Sequence, residues 1–97
     1  MAGYITLSKY TQQGISAIKD SPTRMQQVRA MAEKMGVRMI GIWVTMGQYD
    51  LVTISEAPDD ETLAKLFLSF ASAGDVRSET LRAFTEDEYL KIIAALP

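Results

Sequence analysis

The chain has 97 residues, 47% of them hydrophobic and 23% charged, the make-up of one ordinary globular domain. It contains neither cysteine nor histidine, which excludes disulfides, thiolate catalysis, zinc–sulfur sites and the commonest general base and metal ligand. A net charge of −2 gives no electrostatic reason to expect nucleic acid or an anionic membrane as a partner.

In chain order, Tyr4–Tyr10 alternates, with Ile5 and Leu7 on one face and Tyr4, Thr6, Ser8 and Tyr10 on the other, and reads as a strand. Thr11 suits the cap of a short helical piece through Ile15 and Ile18, weakened by Gly14. Asp20-Ser21-Pro22 breaks and restarts the helix, Ser21 fitting the cap and Pro22 the first turn. From Thr23 to Met35, helical spacing puts Met25, Val28, Ala32 and Met35 on one side, and Gly36 ends the run.

The stretch from Arg38 to Glu56 is a hairpin, two β-rich runs around Gly47-Gln48. A two-residue loop sets Thr45 opposite Asp50, Val44 opposite Leu51 and Trp43 opposite Val52. Ile40, Ile42, Val44 and Leu51 then share one face, and Trp43, Val52 and Ile54 the other.

Pro58-Asp59-Asp60-Glu61 is a helix start, its acids placed at the positive end of the dipole, which accounts for them without a metal. Leu63, Leu66, Phe67, Phe70 and Ala71 form the helix's apolar stripe, and Gly74 stops it. Val76–Phe84 is a fourth strand, with Leu81 and Ala83 on one face and Ser78, Thr80 and Arg82 on the other. Thr85-Glu86-Asp87-Glu88 is a capping box that opens a last helix carrying Tyr89, Ile92, Ile93 and Leu96 on one side. No run approaches the ~20 apolar residues of a membrane span. The N-terminus has no basic region leading into an apolar run, so a cytoplasmic protein is expected.

This order predicts a single α+β domain over residues 1–97: a ferredoxin-like βαββαβ unit with a C-terminal helix and a four-stranded antiparallel sheet, two helices on one face. By this reading the uncovered face holds Ile40, Ile42, Val44 and Leu51, and leaving them wet forfeits about 1.5–3 kcal/mol each. The last helix can cover part of that face. A second copy packed sheet against sheet covers all of it, so a homodimer or larger homo-oligomer is expected.

Thr45-Met46-Gly47-Gln48-Tyr49-Asp50-Leu51-Val52 resembles the signature of the GYD domain family, with Asp20-Ser21-Pro22-Thr23-Arg24 before it and Glu79 to Glu88 after it. These small bacterial and archaeal proteins are named for a Gly-x-Tyr-Asp-like motif, here Gly47, Tyr49 and Asp50. The resemblance spans nearly the whole chain and implies a dimeric α+β barrel of ferredoxin-like form. It implies no activity. The wider barrel group includes cofactor-free monooxygenases, isomerases, haem enzymes and ligand-sensing modules, and fold does not fix function.

The candidate ligand-binding residues are Trp43, Tyr49, Asp50 and Arg82, and no cofactor is expected. Tyr49 and Asp50 form a donor–acceptor pair at a pocket mouth, or else Asp50 serves backbone N–H groups and Tyr49 packs its ring. Trp43 floors an aromatic site or belongs to the core. Arg82 holds a carboxylate or enolate oxygen, or pairs with Glu56 or Asp50. Lys19 and Arg24 flank the helix break as an anion site or as a solvated pair balanced by Asp20, and Met25, Met31, Met35, Met39 and Met46 read as core rather than a ligand box. Three functions stay open. The first is a homo-oligomer that binds a small, partly apolar ligand between sheet and helices. The second is a cofactor-independent enzyme of the monooxygenase or isomerase kind on that site, with Tyr49 or Asp50 handling a proton. The third is a structural assembly module. A cavity above about 300 Å³ would favour the first two.

Overall fold

A nine-residue strand, β1 (Ala2–Tyr10), runs up the middle of the sheet. The computed structural model describes residues 1–97. After β1 come a short helix α1 (Gln12–Ser16), a 3-10 turn (Ile18–Asp20) and α2 (Ser21–Lys34); then β2 (Arg38–Val44), β3 (Leu51–Ala57), α3 (Asp60–Ala71), β4 (Val76–Ala83) and α4 (Glu86–Ala94). The strands lie in the order β2-β3-β1-β4, every neighbouring pair antiparallel, which is the ferredoxin-like arrangement.

Local chemistry sets most boundaries. Thr11 caps α1 by accepting from the Gly14 amide, and Asp59 caps α3 by accepting from the Thr62 amide at 2.8 Å, a bond that holds the Asp59 carboxyl below its usual range. Thr85 and Glu88 close a reciprocal capping box on α4, which likewise lowers Glu88. Gly36 and Gly74 end their helices with positive φ of 74° and 86°. Ser21 does not cap α2, because the 3-10 turn feeds straight into it with Asp20 at the cap position.

The hairpin register is the expected one: Val44 faces Leu51, Trp43 faces Val52, and the Thr45 amide donates to the Asp50 carbonyl. The strands end sooner than expected, at Val44 and Leu51, and β2 carries a bulge between Met39 and Gly41. The bulge makes Ile40 the extra residue and removes it from the face it was assigned to.

The covered face is the opposite of the expected one. Helices α2 and α3 lie over Tyr4, Thr6, Ser8, Thr53, Ser55 and Ala57, all buried, with Ile42 and Leu51 half-buried beside them. The open face holds Ile5, Leu7, Trp43, Val52, Ile54 and Leu81. Alternation says which residues share a face but not which face the helices choose. Short side chains on the sheet let the large residues of the helices close down, and Leu63, Leu66, Phe67 and Phe70 supply that bulk. Thr6 and Thr80 bond across strands at 3.1 Å, as do Ser8 and Ser78 at 2.9 Å, while the buried Ser55 hydroxyl finds no partner. Only 11 of 97 residues are buried, so the core is thin for the chain's length.

Gly14 is buried against β4's entry, where an added Cβ would stand 2.0 Å from the Asp75 carbonyl oxygen. Gly14→Ala therefore lowers stability by about 1–3 kcal/mol, although helix propensity alone predicts a gain of about 1 kcal/mol; urea denaturation reads the sign. Tyr4 donates to the Asp60 carboxylate, and burial first, then that bond, pushes its phenol up to about 12. The fold thus favours neutral Tyr4, and this contribution, whole below pH 10, drains away as pH rises through 12. Alkaline unfolding of Tyr4→Phe should show a shallower loss of stability across that window.

Candidate functional site

The sheet and its two helices separate enough at one end to leave a cavity of about 120 Å³. Its floor is Ser8, Ile42, Leu51, Thr53, Val76 and Ser78 from the four strands. Its walls are Met25 and Val28 of α2 and Phe67 and Phe70 of α3. Tyr10, Ser21, Gln27, Arg24, Ala73 and Asp75 complete the rim. The space is apolar at the sides and hydroxyl-bearing below, the pairing that orients a small ligand. It is well below the 300 Å³ set as the mark of a ligand site, and close in size to cavities that hold a single small ring, about 150 Å³.

Arg24 is spent structurally in part: it donates to the Ala17 carbonyl at 3.0 Å and to the Gly14 carbonyl at 3.4 Å, bracing the end of α1. Its Nε lies 3.7 Å from Asp75 Oδ2. It is therefore neither an isolated anion site nor half of a solvated pair with Lys19. Asp75 also accepts from Gln13 at 3.1 Å.

The four candidates Trp43, Tyr49, Asp50 and Arg82 do not meet in this cavity. Trp43 lies on the open face, 51% exposed, its ring folded over Gly41 two residues earlier. Tyr49 stands beside the same face, donating to Glu79 at 2.9 Å under the Lys9 ammonium. The bond to Glu79 raises the Tyr49 phenol above its ordinary value. Asp50 ties the hairpin loop to the end of β1: its amide donates to the Ser8 carbonyl and its carboxylate accepts from the Tyr10 amide, both at 2.9 Å. Arg82 lies beside Tyr4, about 20 Å along β1 from Asp50 by strand rise. It bonds the Gly3 carbonyl at 3.1 Å and stacks 4.5 Å from the Phe84 ring, pairing with neither Glu56 nor Asp50. Glu56 is taken by Arg38 at 3.1 Å.

Residues 4–93 match the family model of the GYD domain. The chain belongs to the GYD domain family. Among its relatives, one from Thermus thermophilus, described as a glutamine synthetase and cystathionine beta-lyase binding protein, is 36% identical over 84 residues, 86% of this chain and 88% of that protein. A solved Thermus thermophilus crystal structure superposes with a TM-score of 0.55 at 24% identity, covering 88% of this chain and 95% of that one. That second likeness concerns the fold alone. The Tyr49–Asp50 pair of the family motif sits here in the hairpin loop, hydrogen-bonded to Thr45 within the loop and to Ser8, Tyr10 and Glu79 of the neighbouring strands.

The residues that sequence reasoning missed are the cavity's own: Ser8, Thr53 and Ser78 below and Asp75 at the rim, where it meets the Arg24 that was weighed only with Lys19. One signal for them was present. Hydroxyl residues alternate through Thr6, Ser8, Thr53, Ser55, Ser78 and Thr80, and a strand face that is short and polar is the one a helix layer can approach. Asp50→Ala removes the acceptor of the Tyr10 amide and should cost about 1.5–3 kcal/mol of stability, seen as a lower midpoint in chemical denaturation, with the cavity left intact.

Proposed function

We propose that this chain is a cytoplasmic homodimeric binding protein, two copies packed through their open sheet faces, each with room between its own sheet and helices only for a partly apolar ligand no larger than a single small ring. Unpartnered apolar surface carries the reading. Ile5, Leu7, Val52 and Ile54 form the centre of the open face, with Trp43 and Leu81 at 51% and 42% exposure beside them. No residue of α4 is buried, and Phe84, Tyr89, Ile92, Ile93 and Leu96 of the C-terminal segment all lie in water. The accessible surface is 6678 Å², against about 5,500 Å² for a compact monomer of this mass. The excess is about 1,100 Å², and a standard interface takes about 800 Å² from each partner. The radius of gyration, 14.7 Å, exceeds the roughly 12.5 Å of a compact domain in the same sense. A second copy brings the same apolar face and closes the symmetry.

The ligand is assigned to the cavity and not to Trp43, Tyr49, Asp50 and Arg82, which face different sides of the sheet. For the same reason Tyr49 or Asp50 cannot share one substrate with Arg82 inside a subunit, and the enzyme reading loses its geometry. A second reading has its own support. The relative described as an enzyme-binding protein favours an outer surface, α4 above all, that docks on other proteins.

Native mass spectrometry at micromolar concentration separates these. The proposal expects the mass of two chains, and Leu81→Lys, which sets a charge on the open face beside its centre, to give a folded monomer. A monomeric wild type overturns the dimer and leaves the surface to a protein partner.

A further inference from the structure

Thr53 lies on the floor of the cavity, 6% exposed, and its hydroxyl has no hydrogen-bond partner in the chain. Its neighbours on β1 are supplied: Thr6 bonds Thr80 and Ser8 bonds Ser78. Ser55, the other unpaired hydroxyl of β3, is sealed away from any free space. The Thr53 oxygen is not sealed, and the space that Thr53 borders is this cavity. A buried hydroxyl without a partner costs free energy, and a guest that supplies one recovers it. The rim offers no such opening. Arg24 is engaged by Ala17, Gly14 and Asp75, and Asp75 by Gln13 as well. A charged guest must break those bonds or enter unpaired, and an unpaired buried ion costs far more than an unpaired hydroxyl.

We propose that the cavity takes an uncharged molecule the size of a five-membered ring, carrying one acceptor oxygen. That oxygen sits on the Thr53 hydroxyl and the hydrocarbon packs against Met25, Val28, Phe67 and Phe70. The Thr53 hydroxyl supplies the donor, so a carbonyl or ether oxygen satisfies it and a plain hydrocarbon leaves it unpaired. The volume of about 120 Å³ lies below the roughly 150 Å³ of a cavity that holds benzene, which sets the size. This rests on the reading of the cavity as the ligand site and names the atom there that reads the ligand.

The test is an NMR titration, following amide resonances, of the isotope-labelled wild-type protein and of Thr53→Val. The three probes are cyclopentanone, cyclopentane, which lacks the oxygen, and cyclopentylammonium, which puts a charge in its place. The expected result is that both neutral rings bind the wild type and the ammonium does not. Thr53→Val should weaken cyclopentanone about tenfold, the cost of stripping one partner from a buried hydrogen bond, and leave cyclopentane unweakened. It should also raise the urea midpoint of the free protein by removing an unpaired hydroxyl, while Thr53→Ser, which keeps the hydroxyl, keeps cyclopentanone binding. If Thr53→Val leaves cyclopentanone unweakened, or cyclopentylammonium binds as tightly, the assignment falls and the small-ligand reading stands. If no probe binds, both fall. The comparison of cyclopentanone with cyclopentylammonium needs no variant, so a poorly folding Thr53→Val does not blunt it.

Discussion

The contact between short side chains on the sheet and long ones on the helices governs the rest of this molecule. Thr6, Ser8, Thr53, Ser55 and Ala57 present a low surface, and Leu63, Leu66, Phe67 and Phe70 come down onto it. Where that closure is complete the core forms, around Tyr4, Ala57, Leu63 and Leu66. Where it stops short, toward Ser8, Ser78 and the rim at Arg24 and Asp75, the cavity remains. With both helices on the hydroxyl face, Ile5 and Leu7 of β1, Val52 and Ile54 of β3 and Leu81 of β4 are left outside. The cavity and the open face are two results of one packing choice.

Hydrophobic energy gives that choice its consequence. A chain of this size already buries little of its surface, and here the residues left outside include isoleucine, leucine, valine and the single tryptophan. Each is worth about 1.5–3 kcal/mol on full burial, comparable to a sizeable part of the stability of a small domain. Helix α4 repeats the situation on a smaller scale, with a well-capped start and an apolar side that touches no core. In the proposed dimer a second chain would cover the open face and add burial that one chain leaves unmade.

Much of this was legible in the sequence. Strand order, helix starts at Thr11, Asp59 and Thr85, stops at Gly36 and Gly74, and the Trp43–Val52 register all follow from local rules that act over a few residues. The family motif pointed to the same fold. What stayed hidden was set by distance in the chain. Which face the helices cover depends on how the crossovers lie, so Ile42 and Leu51 were placed outside and are half-buried within. Arg24 meets Asp75, and Arg82 meets Gly3, across 51 and 79 positions that no spacing rule connects. Met46, grouped with the core methionines, is wholly exposed because the hairpin strands end before it. The candidates Trp43, Tyr49, Asp50 and Arg82 looked like one site because each is a chemically able residue near a strand end, and the ends they occupy are not the same.

Trp43 is the chain's single tryptophan and lies on the open face, so its fluorescence reports whether that face is wet. Emission wavelength and acrylamide quenching, followed as the protein is diluted from high micromolar to low nanomolar concentration, test the central claim directly. The account predicts a blue-shifted, protected tryptophan at high concentration that moves to the red and becomes quenchable on dilution, in one concentration-dependent transition. A tryptophan that is fully hydrated and equally quenched at every concentration would contradict it.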